Sequence, residues 1–360
     1  MAMEEWQEWV VMNESSAYFE HPGRAVEDER FRHMMAITLD PNSEYKEGII
    51  RCITSREGDV QIKGYVDHSQ LYIVSGDSLE HFTVGERLQL IGEKEILEEL
   101  TPAGWECLGL EDPDIWIDKE TGLMHAYFTI PIKPPSFDQK IRIHLGHAVG
   151  KDLHSLEMTQ PTLLQDEAIN ASAKEVSIAP VSTKGVRYNL IESRDRTPEG
   201  TYSTVRVAVA EDMGKPWQYG EVVFHPLEHR LPWIGGHASP GPLFGKEFID
   251  VGQGKLLGVM NGREANQKTG DKITYGMFSV GLFIYDYEKG KIYWVSPQPF
   301  IRDSQAKTIT FASQFVETDR GEGILYAHVD DSFVRAYTLY AEAIGPLLPK
   351  PEPSDQSRDS

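Results

Sequence analysis

The chain has 360 residues, of which 40% are hydrophobic and 10% aromatic, with 31 Gly and 21 Pro, a makeup that fits many short strands broken by turns better than a helical protein. Its 56 Asp and Glu against 35 Lys and Arg leave a formal net charge of -21, a surface that repels phosphate backbones and anionic lipids and argues against nucleic-acid and membrane partners. The two cysteines, Cys52 and Cys107, make neither a disulfide scaffold nor a metal cluster, and no apolar run reaches the roughly 18 residues of a membrane span.

Along the chain, residues 1–30 are acidic and partly helix-like, with Trp6, Trp9 and Val10 on one face. They read as a packing segment or a contact for homo-oligomer formation. The first residues carry no basic n-region and no clean apolar core, so a signal peptide is not indicated and the cytoplasm is the expected compartment. From residue 31 to 348 one catalytic unit is expected, in which strand-like runs recur at a spacing of roughly 60–75 residues. Residues 349–360 are polar and Pro-rich and read as a disordered tail.

The repeat predicts an all-β fold, a five-bladed β-propeller, because radially arranged four-stranded blades leave only short, protected edges. Charged hairpins mark four of the units, at Val74–Phe82, Val149–Glu157, Ala210–Gln218 and Tyr285–Trp294. An Asp near each tight turn supplies local backbone hydrogen bonds. The inner strands of the five units are expected to begin near Ala36, Asp112, Glu175, Ser239 and Ser313.

In a propeller the innermost strands converge on the axis, so their first residues line one pocket. Blade one contributes Arg51. In GLEDPDIWID, Glu111 and Asp112 precede Pro113, which disfavours helix at Asp112 and fixes an extended approach to the strand. Two adjacent carboxylates there point to opposite sides, one into the pocket. One repeat later SAKEVSIAP places Lys174 and Glu175 at the equivalent point. The Gly/Pro-rich WIGGHASPGPLF brings His237 onto a rigid loop, and AHVDDS holds His328, Asp330 and Asp331. Each segment is weak separately; their recurrence at one phase of the repeat is the signal. His125, His144 and His147 lack the spacing of a zinc site, and neither a metal nor a cofactor is called for.

The order of these segments resembles glycoside hydrolase family 130, five-bladed propellers acting on β-mannosides and related glycosides, within a wider clan that includes families 43, 32 and 117. The family's Glu-Asp-Pro-Arg signature resembles Glu111-Asp112-Pro113, its Lys-Asp strand opening resembles Lys174-Glu175, its His-containing Gly-Pro loop resembles His237 to Pro242, and its blade-five segment resembles Tyr326 to Asp331. The resemblance implies that Asp112 is the catalytic acid and that Arg51, Lys174, His237 and Asp331, with Glu111 beside them, bind an oligosaccharide or glycoside substrate. Two departures bear on the reaction. Asp114 stands where the signature has Arg, and Glu192 ends a strand where Arg is expected. Both would repel the phosphate that phosphorolytic members must hold.

An inverting glycosidase hydrolysing a β-mannoside is therefore the expected activity, with Asp112 as acid and Glu175 or Glu192 as the base that activates water. Two alternatives stay open. One is a β-mannoside phosphorylase whose phosphate is held by Lys174, Arg51 and Arg194. The other is a catalytically inactive propeller that binds glycans or a protein.

Overall fold

A computed structural model describes residues 17–59, 62, 64–136, 139–198, 200–270 and 272–350. Its strands form the five-bladed propeller. Blade I comprises Met34–Leu39, Glu47–Glu57, Val66–Ser78 and His81–Arg87; blade II comprises Glu111–Ile117, Met124–Lys133, Arg142–Gly150 and Glu157–Leu163. Blade III comprises Lys174–Ser177, Arg187–Thr197, Gly200–Ala210 and Gln218–Phe224; blade IV comprises His237–Leu243, Lys255–Arg263, Phe278–Asp286 and Lys291–Val295. Blade V comprises Thr310–Asp319, Glu322–Val329 and Phe333–Tyr340. The four charged hairpins each turn from the third to the fourth strand of their blade, and the five inner strands begin within three residues of the expected positions.

The outermost strand of blade V comes from the other end of the chain. Tyr18–Glu20 pairs antiparallel with Phe333–Tyr340, and Val26–Glu27 bridges that strand to blade I. This joins the last blade to the first and removes an exposed edge. The helix-like stretch with Trp6, Trp9 and Val10, and most of the Pro-rich tail, lie outside the described residues.

Blades buried on both faces must be apolar on both faces. Met124–Ile132 is accordingly buried at every position. One apolar cluster fills each of the five gaps between neighbouring blades: Leu88 and Met124 between I and II, Leu145 and Trp217 between II and III, Val207 and Trp233 between III and IV, Val259 and Leu325 between IV and V, and Phe82 and Tyr326 between V and I. The packing is tight enough that glycines are required where rings cross. A Cβ on Gly281 would lie 2.3 Å from the Trp233 ring. Trp233 is thus core, with its indole N–H donated to the Ser296 carbonyl at 3.1 Å, and neither it nor Trp116 nor Tyr188 lines the central cavity.

Every inner strand carries a one-residue bulge at the same phase. The register slips between Met35 and Thr38, Glu111 and Asp114, Lys174 and Val176, Pro240 and Leu243, and Ala312 and Gln314. A bulge bends its strand and re-aims a side chain. Ala36, Asp112 and Glu175 stand at three of these bends with φ near +50°, a left-handed conformation that side chains disfavour. Side-chain bonds link neighbouring blades around the axis: between inner strands, Ile115 N–H to Thr38 Oγ1, Ser177 Oγ to Gly241 O and Ser313 Oγ to Ile37 O, and from the second strand of blade IV to the inner strand of blade V, Asn261 Nδ2 to Ala312 O. They hold the bends in place.

Candidate active site

Above this ring the blades enclose a cavity of about 350 Å³. Asp112, Glu175, Glu192, Arg51, Lys174, His237 and Asp331 all line it. Glu111 does not, but it lies directly behind Arg51. The bulge explains the split. With φ at +47° Asp112 turns into the cavity while its neighbour turns back into the blade, as two adjacent residues on a strand must.

The charges are arranged in pairs. Arg51, buried, donates to Asp112 Oδ1 at 2.7 Å, to Glu111 Oε1 at 2.8 Å and to Ser69 Oγ at 2.9 Å. Lys174 Nζ and His237 Nε2 approach the same Glu192 oxygen, at 3.5 and 2.9 Å. Neither Glu192 Oε2 nor His237 Nε2 has an aligned hydrogen-bond partner, so the contact is one of charge and proximity. Asp331 lies 3.3 Å from His328 Nε2 and 3.8 Å from Arg56, whose guanidinium grips Asp67 with two bonds of 2.6 and 2.7 Å. Asp330 serves the backbone instead, accepting from the N–H groups of Lys307, Thr308 and Ile309.

Environment sorts the acids into two kinds. Burial pushes Glu175 well above the usual carboxylate range, and the Asp112 charge beside it adds to the effect against the pull of Lys174. Burial likewise pushes Glu111 up to about 7, opposed by Arg51. Glu192 is the reverse: burial would raise it, but His237, Lys174 and a bond from Ser203 outweigh burial and hold it far below the ordinary value. For Asp331, too, burial is overcome by His328 and the nearby guanidiniums, and the net direction is down. Burial lowers His237 despite Glu192. It also opposes the Lys174 ammonium, yet the four surrounding carboxylates raise that group above its usual value.

These shifts have consequences for stability. Glu111 binds its proton more tightly folded than unfolded, so its contribution is full below about pH 4.5 and is lost as the pH rises through about 7. Glu192 and Asp331, depressed in the folded state, contribute above their unfolded values and lose that contribution as acid protonates them. The thermal midpoint, followed by circular dichroism across pH, is expected to peak on the weakly acidic side of neutrality.

Asp114 departs from its expected effect on the site. Its carboxyl lines a second, smaller axial cavity of about 160 Å³ below the ring, with Ser177, Pro242 and Gln314, and does not reach the upper cavity. Burial pushes it up to about 7. It therefore has no direct means of repelling an anion in the upper cavity, whereas Glu192 sits within it. Several lining residues escaped the sequence reading: Tyr65, Asp67, Arg263, Tyr275, Phe278 and Phe311. Arg263 ends a second strand, Asp67 and Phe278 open third strands, Tyr65 and Tyr275 lie in the connections before or between them, and Phe311 is an apolar residue of the inner strand of blade V, so no shared motif marks them. His125 and His147, by contrast, bond to each other at 2.9 Å within blade II and do not line the cavity. Cys52 and Cys107 are free thiols. Among the described residues no group of three His, Cys, Asp or Glu side chains is placed to hold a metal ion, and no helix is long and apolar enough to cross a membrane.

The sequence matches no protein-family model and no curated protein. Solved structures do match the fold at low identity. A glycoside hydrolase of family 130 that targets β-1,2-mannosidic linkages in Candida mannan shares 16% identity, with a TM-score of 0.64 over 91% of this chain and 96% of that one. The β-1,2-mannobiose phosphorylase of Listeria innocua shares 14%, with a TM-score of 0.57 over 92% and 90%. A GDP-mannose-dependent mannosyltransferase of Leishmania mexicana shares 11%, with a TM-score of 0.54 over 94% and 95%. Hydrolysis, phosphorolysis and glycosyl transfer thus occur on one architecture, and the chain has the five-bladed propeller fold of the family 130 structures.

Proposed function

We propose that the protein is a glycosidase that hydrolyses a β-mannoside or a related glycosidic bond in the axial cavity. The observation that carries this reading is the convergence of three acids from blades II and III, Asp112, Glu175 and Glu192, in one pocket, where Glu175 is pushed up and Glu192 held down. Glycoside hydrolysis needs a protonated acid at the leaving oxygen and an ionised carboxylate for water.

Sequence reasoning gave the acid to Asp112 and offered Glu175 as a base. The surroundings favour a division of labour in which Glu175 carries the proton. Asp112, gripped by Arg51, is the charged neighbour that keeps it there. Glu192 is the carboxylate that takes the proton from water. As long as Lys174 and His237 stabilise it, it is a weak base; a sugar hydroxyl that draws Lys174 away raises its basicity.

Hydrolysis is preferred to phosphorolysis because two of the cations proposed for phosphate are already engaged. Arg51 is held by Glu111 and Asp112, and Lys174 by Glu192. The test is a screen of aryl-glycosides and manno-oligosaccharides with and without phosphate. Release of sugar in phosphate-free buffer supports the reading; strict phosphate dependence overturns it in favour of a phosphorylase. Silence across the screen would favour a glycan-binding propeller.

The pH profile offers a second check. Activity should fall on the alkaline side as Glu175 loses its proton. Asp112→Asn, which removes the repelling charge, should move that limb to lower pH and reduce turnover, while the fold survives because Glu111 still holds Arg51. An alkaline limb unmoved by this substitution would separate Asp112 from the proton on Glu175.

A further inference from the structure

A general acid that gives up a proton in each turnover must regain it before the next. When Glu175 protonates the leaving oxygen as the glycosidic C–O bond breaks, and water bonds to the anomeric carbon while passing a proton to Glu192, the protein is left with Glu175 ionised and Glu192 protonated. Hydrolysis consumes one water and no net proton. One proton therefore has to leave Glu192, and one has to reach Glu175. Glu192 lines the upper cavity alone, whereas Glu175 and Asp112 line both the upper cavity and the lower one. The two cavities thus meet at a neck, and Glu175 can be approached from either side of it.

The lower cavity suits the second of these transfers. All five inner strands contribute to its wall, with Ala36 from blade I, Asp114 from II, Ser177 from III, Gly241 from IV and Gln314 from V. Among the described residues no Lys, Arg or His side chain lines it, so no cation on that side pins a carboxylate in its charged form. Asp114, Pro242 and Gln314 are half-buried, so water reaches them. A volume of about 160 Å³ admits a short chain of water molecules, each taking about 30 Å³. The bulge at Asp112 gives this one strand an acid on each side of the neck: Asp112 bonds to Arg51 above, and Asp114 faces the lower cavity. Asp114 is fixed there by the Ile115 N–H at 2.9 Å and by the Thr38 hydroxyl, which is itself bonded to Gln314 at 3.2 Å. With burial raising it to about 7, it gains and loses a proton readily near neutral pH.

We propose that Asp114 relays protons from the lower cavity through the neck to Glu175, so that the acid is recharged from beneath while the sugar still fills the cavity above. The inference rests on the reading of Glu175 as the general acid. In each cycle the Asp114 carboxyl gives its proton, across water in the neck, to the Glu175 carboxylate, and then takes one from hydronium or a buffer acid at the lower mouth. The proton that Glu192 took from water leaves by the upper side. Only O–H bonds change, and the protons balance.

The test compares the wild type with Asp114→Asn and Asp114→Glu on one unactivated glycoside, by rapid quench and in the steady state. Asparagine keeps the size of the side chain and an acceptor for the Ile115 N–H but holds no acid proton. In Asp114→Asn the first turnover is expected at the wild-type rate, followed by a steady state about tenfold slower or more, so that product appears as a burst of one equivalent. Only kcat falls, because recharging follows bond cleavage and leaves kcat/KM as it was. Added formate or imidazole buffer should restore kcat of the asparagine variant in proportion to its concentration and leave the wild type unchanged, while Asp114→Glu shows no burst. A wild-type kcat in Asp114→Asn, with no burst, overturns the relay and keeps the glycosidase. An equal fall in first turnover and steady state that no buffer rescues also overturns it, since that is how a structural role behaves. A wild type that cleaves no glycoside removes the general acid itself, and the relay with it.

Discussion

Glu175→Gln is expected to lower kcat on unactivated glycosides by about a thousandfold, the scale of a lost general acid, with KM little changed. Glutamine keeps the size and hydrogen-bonding capacity of the side chain but holds no transferable acid proton. The loss should shrink for aryl-glycosides with strongly acidic phenols, whose leaving oxygen departs without protonation. That dependence on leaving group distinguishes proton donation from a structural role, which would depress all substrates alike. The stability of the variant should equal or exceed that of the wild type, because a buried carboxyl beside Asp112 is replaced by a group that cannot ionise. Uniform loss across leaving groups would remove Glu175 as the acid.

Asp303→Ala is expected to destabilise the fold by about 3–5 kcal/mol, the cost of leaving a buried charge without its partner. Asp303 and Arg335 are 3% and 1% exposed and ion-paired, and the Tyr337 hydroxyl donates to the same carboxylate oxygen. Arg335 then uses its remaining donors on the N-terminal segment. Its Nη1 reaches the carbonyls of His21, Pro22 and Gly23 at 2.8–3.2 Å, and its Nη2 reaches Gln305 at 3.0 Å. Since Tyr18–Glu20 supplies the outer strand of blade V, this arginine fastens the closure of the ring. Urea unfolding should show a lower midpoint for Asp303→Ala and for Arg335→Ala. The double variant Asp303→Leu with Arg335→Met should recover part of the loss, because neither charge is left stranded. Wild-type midpoints in both single variants would mean that the apolar gap between blades IV and V closes the ring unaided.

The fold was legible in the sequence because a propeller repeats its information. A bulge that recurs in five inner strands leaves Asp-Pro, Lys-Glu and His-Ala-Ser-Pro segments at matching phase, and one reading checks the next. The same phase located Arg51, Asp112, Lys174, Glu175, His237 and Asp331 at the cavity. Arg263 and Tyr275 had no such marker: Arg263 ends the second strand of blade IV, and Tyr275 lies in the connection that follows it. The surroundings of the acids were also hidden. Asp112 and Glu175 look alike in sequence, and only the fold shows that Arg51 bonds to one of them and that burial raises the other. Asp114 was misjudged for a geometric reason, since the bulge at Asp112 sends it to the lower cavity.

The ring of bends has one more consequence, concerning which side of the axis has room. The five bulged positions, Ala36, Asp112, Glu175, Gly241 and Ser313, together line the neck below the upper cavity. Backbone geometry treats them alike, but side-chain volume does not. Two adjoining slots carry long acids, and the remaining three carry a methyl, a hydrogen and a hydroxymethyl group. A passage with five-fold scaffolding thereby acquires an acidic flank and a vacant flank. Any ring-shaped ligand lowered onto the neck meets steric resistance over blades II and III and clearance over blades IV, V and I, so its orientation is chosen by bulk before any hydrogen bond is made.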